Sequence, residues 1–121
     1  MNLRVLLVDD HALFRKALRM SLALEPGISV VGEAWDAASA LRCAAECHPH
    51  VVCMDINLPG IDGIATTRAL LTQDPGLKVI GLSAHVDPVL DKHLREAGAH
   101  GYVNKMNAGT ELANAIRRLG Q

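Results

Sequence analysis

Five side chains that could take part in phosphoryl transfer stand directly after short apolar runs of the chain. In chain order, these residues are Asp9 and Asp10 after Leu3–Val8, Asp55 after Val51–Met54, Ser83 after Val79–Leu82, and Lys105 after Tyr102–Asn104. Apolar runs of this length are typical of buried strands, and the carboxyl ends of parallel strands meet at one edge of a sheet. We therefore expect three carboxylates, a hydroxyl and an ammonium group to converge at that edge.

The chemistry of such a cluster follows from its charges. Three carboxylates repel each other unless a cation lies among them, and hard oxygen ligands suit Mg²⁺. Asp9 and Asp10 would hold the metal, while Asp55, at the end of the central strand, can act as a nucleophile toward a phosphoryl group. Lys105 would supply a second positive charge, and the Ser83 hydroxyl can donate a hydrogen bond to a phosphoryl oxygen on a modified Asp55.

The elements that must position these residues alternate between strands and helices. The predicted strands are Leu3–Val8, Ile28–Ala34, His50–Met54, Lys78–Leu82 and Gly101–Asn104. The predicted helices are His11–Leu24, Ala37 to about Cys47, Ile64–Thr72, Pro88–Ala97, and a last helix capped by Asn107 and ending at Leu119. This order predicts an α/β fold, a (βα)₅ doubly wound sheet of five parallel strands with helices on both faces.

Local signals mark several boundaries. Asp36 and Asp87 are typical N-cap residues, and Gly98 is a typical glycine at a helix C-terminus. The segment Asn57–Gly63 is rich in Pro and Gly and is predicted to be an irregular loop. In the first helix, one apolar face is expected to comprise Leu13, Ala17, Met20 and Leu24, with Phe14 and Leu18 beside it.

Composition narrows the classes of function. A chain of 121 residues with 50% hydrophobic residues predicts one globular domain, and a net charge of −1 without a basic cluster argues against direct nucleic-acid binding. No apolar run approaches the roughly 20 residues of a membrane span, and no signal peptide is recognisable. A cytoplasmic location is therefore expected. The helical pair Cys43 and Cys47, followed by His48, could suggest a metal site, but small buried thiols are the favoured interpretation.

Four segments together carry a resemblance to a known family. They are VLLVDDH (Val5–His11), VVCMDINLPGIDG (Val51–Gly63), VIGLSAH (Val79–His85) and AGAHGYVNK (Ala97–Lys105). Over essentially its whole length, 1–121, the chain resembles the receiver domain of bacterial two-component response regulators. Its sequence motifs are most similar to those of the NarL/FixJ (LuxR-type) subfamily. The resemblance implies the flavodoxin-like strand order 2-1-3-4-5.

The resemblance also implies a role for each matching residue. Asp55 would accept a phosphoryl group from the phosphohistidine of a sensor histidine kinase. Asp10, assisted by Asp9, would bind Mg²⁺ together with the Asp55 carboxylate and the backbone carbonyl of Asn57. The chain would be a signalling domain rather than an enzyme, catalysing only its own phosphorylation and dephosphorylation.

Signal output is implied by the same resemblance. Ser83 would move toward the phosphoryl group, Lys105 would pair with that group, and the Tyr102 ring would turn inward behind the hydroxyl. The face formed by the fourth helix, fifth strand and fifth helix would then change, with homodimerisation as one consequence. NarL/FixJ-type regulators usually carry a C-terminal helix-turn-helix domain, so DNA contact is expected only through an output domain outside these residues.

Several residues refine this expectation. Met106 follows Lys105 where many receivers have a cis proline, and Asn104 replaces an apolar residue, so its side chain is expected to be exposed or locally hydrogen-bonded. Asn57 and His85 lie where family members tune the lifetime of the acyl phosphate. His11 is expected to pack near the acid pair.

Other functions remain open from the sequence. A Mg²⁺-dependent phosphohydrolase similar to the haloacid dehalogenase group would use the same nucleophile, but the acid it needs two positions later is Asn57 after Asp55. A module that keeps only the fold would be expected to have lost Asp55, Lys105 or the acid pair. A stand-alone receiver that signals through protein contacts is the alternative to a transcription factor.

Overall fold

Five parallel strands form one sheet in the order β2-β1-β3-β4-β5. The computed structural model describes residues 2–58, 62–84 and 87–120. The strands are β1 (Leu3–Val8), β2 (Ile28–Ala34), β3 (Val51–Asp55), β4 (Lys78–Ser83) and β5 (Gly101–Asn104). The helices are α1 (Ala12–Ala23), α2 (Ala37–Cys47), α3 (Gly63–Gln73), α4 (Pro88–Glu96) and α5 (Ala108–Gly120). The predicted (βα)₅ fold and its strand order are confirmed.

The three central strands, β1, β3 and β4, are buried on both faces because they are largely apolar on both sides. In β1, Leu3, Val5 and Leu7 belong to one core cluster, which also contains buried residues of α1 and α5. Leu6 and Val8 point to the opposite cluster, which is shared with α2, α3 and α4. The absence of polar alternation in the strand therefore reflects two cores rather than one, as parallel sheets require.

The described part of the chain has no helix long and apolar enough to cross a membrane.

Side-chain caps fix the starts of three helices. Asp36 accepts a hydrogen bond from Ser39 N at 2.8 Å and forms a capping box at α2, and Asp87 accepts from Val89 N at 2.9 Å at α4. Both predicted caps are confirmed, as is Gly98, whose φ of 108° is the left-handed conformation that favours glycine. Asp62 caps α3 by accepting from Ala65 N at 2.8 Å. The irregular segment predicted over Asn57–Gly63 therefore already contains this cap, and α3 starts at Gly63.

The predicted apolar face of α1 is wrong as a buried face. Leu13, Met20 and Leu24 are 84%, 62% and 82% exposed, respectively. The core is instead contacted by residues spaced four apart, namely Phe14, Leu18 and Leu22. Both rows have helical spacing, and the helix is oriented so that Phe14 lies beneath the Lys105 ammonium.

A short 3-10 turn, Lys105–Asn107, separates β5 from α5. The Asn104 side chain accepts a hydrogen bond from Met106 N at 2.9 Å, which confirms the local hydrogen bond expected of this residue. The last helix starts at Ala108, so Asn107 belongs to the turn that precedes it.

Two histidines extend the sheet's hydrogen bonding at the edge opposite the acid pair. His50 N donates to Arg4 O at 2.8 Å, and Arg4 N donates back to His50 Nδ1 at 3.0 Å. His100 makes the same pair of bonds with Val79, at 2.8 and 3.2 Å. Each imidazole must present an unprotonated Nδ1 to accept its bond. Burial, aided by the Lys78 charge, lowers the pKa of His100 from its ordinary 6.5.

This geometry makes part of the stability depend on pH. The unfolded chain binds a proton at His100 more readily than the folded protein does, because the folded pKa is lowered. The His100 contribution is therefore present above about pH 6.5 and is lost as pH falls toward the folded pKa. The Asn side-chain oxygen in His100→Asn can accept the hydrogen bond from Val79 N without titrating. We therefore expect the unfolding free energy of this variant to fall less than that of the wild type between about pH 8 and pH 5.

Urea unfolding at several pH values measures this effect. His93→Asn, a change at an exposed histidine of α4, is the matched control and should keep the wild-type pH slope. Parallel slopes for His100→Asn and the wild type would contradict the assignment.

Candidate functional site

The carboxyl ends of β1 and β3 bring the acid residues together. The two strands are neighbours, with Val8 opposite Met54. Asp9 follows β1 and stays tied to β2, because Asp9 N donates to Ala34 O at 3.0 Å. Asp55 is the last residue of β3, one position later than the predicted strand end. Both carboxylate residues are buried, with 1% exposure for Asp9 and none for Asp55.

Lys105 bridges the two buried carboxylates. Its Nζ lies 2.7 Å from Asp9 Oδ2 and 3.2 Å from Asp55 Oδ2. The ammonium also lies 4.8 Å from the centroid of the Phe14 ring, so an apolar floor supports the cation. The convergence of Lys105 with Asp9 and Asp55, expected from the strand ends, is present in the structure.

His11 contacts all three acids, whereas the sequence predicts only that it packs near the acid pair. Its Nδ1 lies 3.0 Å from Asp9 Oδ1, 3.3 Å from Asp10 Oδ1 and 4.0 Å from Asp55 Oδ2. The His11 backbone N–H also donates to Asp9 Oδ1 at 2.8 Å. The position of His11 directly after Asp9 and Asp10 in the sequence is the feature from which this contact could have been predicted.

The electrostatics of the pocket favour an added cation. Burial raises the pKa of Asp55, and the neighbouring Asp9 charge adds to the rise, while the Asn57 N–H and Lys105 oppose it. Asp9 Oδ2 and Asp55 Oδ2 are buried without a partner of hydrogen-bond geometry, although both lie within ion-pair distance of Lys105. An ammonium group at these distances attracts both oxygens, but one lysine cannot neutralise three carboxylates.

The residues present fit a hard divalent cation. Within the described ranges, one ligand atom from each of Asp9, Asp10, His11 and Asp55 lies within 4.8 Å of the others. The Asp10 side chain is 36% exposed and lies toward solvent, as a route of metal entry requires. A Mg²⁺ ion held by few carboxylates and several waters suits this combination of buried and open ligands.

The other predicted residues that the structure describes lie on β4, on β5 and directly after β3. Ser83 is buried at the end of β4, paired with Asn104 of β5, while Leu82 pairs with Asp55. Asn57 donates its backbone N–H to Asp55 Oδ1 at 3.0 Å. Tyr102 is half-buried against the α2–α3–α4 core cluster. His85 lies outside the described residues, so its predicted effect on the acyl phosphate stays a prediction.

The cysteines do not form a second metal cluster among the described residues. The Cys43 and Cys47 thiols instead donate to backbone carbonyls of β2, at 3.6 Å to Glu33 O and 3.4 Å to Val31 O. Burial raises the pKa of the Cys53 thiol to about 12. The prediction of small buried thiols is therefore right for Cys53, whereas Cys43 and Cys47 are only partly buried.

The first residue of α3 locks the chain that follows Asp55. Gly63 N donates to Ile56 O at 3.0 Å. A Cβ atom at Gly63 would clash with the backbone carbonyl oxygen of Asp55 and the α-carbon of Ile56. Glycine is therefore required by close packing against the backbone that carries the acid.

Comparison with known proteins agrees with this arrangement. Residues 5–117 match the family of response regulator receiver domains, and the chain belongs to that family. It is 40% identical over 115 residues to the response regulator GacA of Pseudomonas protegens, covering 95% of this chain and 54% of that protein. The chain thus spans about half the length of the curated relatives it matches.

Solved structures give the same result. A LuxR-family two-component response regulator from Aurantimonas superposes with a TM-score of 0.94 at 37% identity, covering 99% of this chain and 86% of the other. The receiver domain of the putative response regulator NarL from Mycobacterium tuberculosis has a TM-score of 0.92 at 33% identity, with 98% and 96% coverage. The predicted resemblance to the NarL/FixJ (LuxR-type) subfamily is confirmed.

Gly63→Ala tests whether backbone packing behind Asp55 maintains the site. The added methyl group must displace the Asp55–Ile56 backbone, so we expect a loss of about 1–3 kcal/mol in unfolding free energy, measured by urea titration. Gly109→Ala is the matched control, since a Cβ there meets nothing within 4 Å and alanine favours a helix. Equal stability of Gly63→Ala and Gly109→Ala would show that the close approach is not restrictive.

Proposed function

We propose that Asp55 is the phosphoryl acceptor of a response regulator whose donor is a sensor histidine kinase. The observation that carries this proposal is the bridge from Lys105 Nζ to the buried oxygens of Asp9 and Asp55, with Asp10 and His11 at the same pocket. Receiver domains of two-component systems have an acidic pocket for Mg²⁺ and interact with histidine kinases. The pocket of this chain has the charges that such a transfer needs.

In the proposed transfer, an Asp55 carboxylate oxygen attacks the phosphorus of a phosphohistidine. A new P–O bond forms, the P–N bond breaks, and the donor imidazole leaves with the electron pair of that bond. The Asn57 N–H, bonded to Asp55 Oδ1, holds the carboxylate in place during attack. Lys105 offsets negative charge on the phosphoryl oxygens.

Asp9, Asp10, Asp55 and the backbone carbonyl of Asn57 would hold Mg²⁺. When bound, the ion reduces the repulsion between the carboxylates and the incoming phosphoryl group. The three acids are supported as ligands by the short distances between their carboxylate oxygens. The Asn57 carbonyl is included because the family resemblance implies it.

The output step is a shift between two conformations. A phosphoryl group adds negative charge and acceptor oxygens at Asp55, and it favours whichever arrangement brings Ser83 and Lys105 closer to those oxygens. Ser83 and Tyr102 both lie on the β4–β5 side of the site, and Ser83 pairs with the residue before Lys105. Movement of Ser83 would therefore be transmitted to β5, where Tyr102 would change its packing.

The proposed output surface is the face of α4, β5 and α5. It carries a groove of about 660 Å³ whose lining includes Arg95, Tyr102, Glu111 and Arg118. We propose that this face mediates homodimerisation, and that the native protein regulates transcription through a DNA-binding domain outside residues 1–121. Its relatives include proteins described as transcriptional regulators. A stand-alone receiver acting in the cytoplasm by protein contact is the alternative form of output.

Labelling with acetyl phosphate in the presence of Mg²⁺ tests the acceptor directly. The wild type should gain one phosphoryl group, detected by intact mass, and Asp55→Asn should gain none because the nucleophile is lost. Asp36→Asn is the matched control, since asparagine also caps a helix well and this position lies at α2.

Chelation completes the same experiment. EDTA should block labelling of the wild type because the carboxylates then repel the donor. Labelling of Asp55→Asn at the wild-type level would refute the acceptor assignment, and labelling in chelator would refute the metal role.

A further inference from the structure

Arg15 joins the acid pair to a second, separate ion-pair network. Its Nη1 donates to the backbone carbonyl oxygen of Asp9 at 2.6 Å, and its Nε donates to Glu33 Oε1 at 3.1 Å. Arg19 contacts the other oxygen, Glu33 Oε2, at 3.1 Å. The Arg15 side chain is only 15% exposed, so it is far better shielded than an ordinary surface arginine. At the acid pair, Arg15 binds the backbone carbonyl of Asp9 and not the Asp9 or Asp10 carboxylate.

The carbonyl that Arg15 binds lies between two regular elements. β1 ends at Val8 and α1 starts at Ala12, so Asp9 belongs to neither. Asp9 N is held by Ala34 O, and Asp9 O is held by Arg15. Both backbone polar groups of Asp9 are thus connected to β2. The N–H is bonded to β2 directly, and the carbonyl is connected to Glu33 of β2 through Arg15.

This fixation bears on Asp10 in particular. The Asp9 carbonyl is part of the planar peptide that joins Asp9 to Asp10, so binding its oxygen sets the orientation of the whole unit. Asp10 needs this support because its carboxylate is 36% exposed, and the contact described for it is His11 Nδ1 at 3.3 Å. Without a fixed peptide, the exposed Asp10 carboxylate would no longer be held in an orientation toward the proposed metal site.

We propose that Arg15, held by Glu33, is a positioning residue that sets the divalent-cation affinity of the Asp9–Asp10–Asp55 pocket. The inference rests on the proposed function, since it assumes that this pocket binds a metal. Partners that orient metal ligands commonly change affinity by about 10- to 100-fold when removed. Arg15 would act on the metal only through the backbone of Asp9 and the direction of Asp10.

The sign of one mutation separates this role from a simple charge effect. Arg15 is a cation beside a cation site, so loss of its charge alone should strengthen metal binding. Loss of its positioning bond should weaken binding instead. Arg15→Met retains an unbranched apolar side chain while removing both the charge and the hydrogen bonds.

Mn²⁺ serves as the probe, because loss of its free-ion EPR signal measures binding without phosphorylation. We expect Arg15→Met to weaken Mn²⁺ binding about 10-fold or more. Arg19→Met also removes one positive charge from α1 and one ion pair from Glu33. It leaves the hydrogen bond from Arg15 to the Asp9 carbonyl intact, so it should not weaken Mn²⁺ binding. The double variant Arg15→Met/Glu33→Gln keeps the net charge constant and should be weakened like Arg15→Met.

Binding by Arg15→Met that equals or exceeds the wild type would overturn the inference. Wild-type affinity in the double variant Arg15→Met/Glu33→Gln would overturn it as well. The double variant also removes the Glu33 charge that Arg15→Met leaves without its Arg15 partner, so a folding defect caused by that charge does not affect the comparison. Arg15→Lys, which can still donate to the Asp9 carbonyl, should recover part of the affinity. Circular dichroism checks that each variant is folded.

A second readout links affinity to phosphoryl transfer. Acetyl phosphate labelling of Arg15→Met should be low at limiting Mg²⁺ and should reach the wild-type level at saturating Mg²⁺. Labelling that stays low at saturation would contradict a role through metal affinity. Failure of the wild type itself to be labelled would count against the proposed function, whereas the comparison of Mn²⁺ affinities would still decide the role of Arg15.

Discussion

Mutual repulsion of acid side chains in a buried pocket is the constraint on which this site depends. Asp9 and Asp55 are almost fully shielded from water, and Asp10 stands at the entrance to the same pocket. Lys105 is the positive charge that reaches both buried oxygens, at 2.7 and 3.2 Å. Three carboxylates against one ammonium leave excess negative charge, which is why the pocket suits a divalent cation.

The fold serves this pocket by holding backbone rather than by filling space around side chains. Asp55 ends a strand buried between two cores, so its position is set by packing on both faces. Behind it, Gly63 permits the start of α3 to lie directly against the Asp55 carbonyl. Beside it, Ala34 and Arg15 bind the two backbone polar groups of Asp9. The backbone of the acid residues is thus held by contacts from several elements, namely α1, β2 and α3.

Much of this could be predicted from the sequence because the signals are local. Apolar runs, the caps Asp36 and Asp87, and the left-handed Gly98 each depend on a few neighbouring residues. The convergence of Asp9, Asp55 and Lys105 also follows, since parallel strands end at a shared edge.

What escaped prediction depends on contacts distant in the chain. Two apolar rows of α1 have helical spacing, and only packing against the sheet selects Phe14, Leu18 and Leu22 over the exposed row. The Asp62 cap was hidden in a segment whose Pro and Gly content indicated a loop. The link from Glu33 through Arg15 to Asp9 joins α1 to β2, and no local pattern of charges identifies such a pair.

Mg²⁺-dependent stability tests the central claim most directly. The unfolding free energy of the wild type should rise with Mg²⁺, because an ion that binds the folded pocket alone adds RT ln(1 + [Mg²⁺]/Kd). In Lys105→Met, which leaves the carboxylates without their ammonium, Mg²⁺ should stabilise the fold more strongly than in the wild type. The contradicting result would be a free energy of unfolding that does not respond to Mg²⁺ in either protein, since the excess negative charge would then not form a cation site.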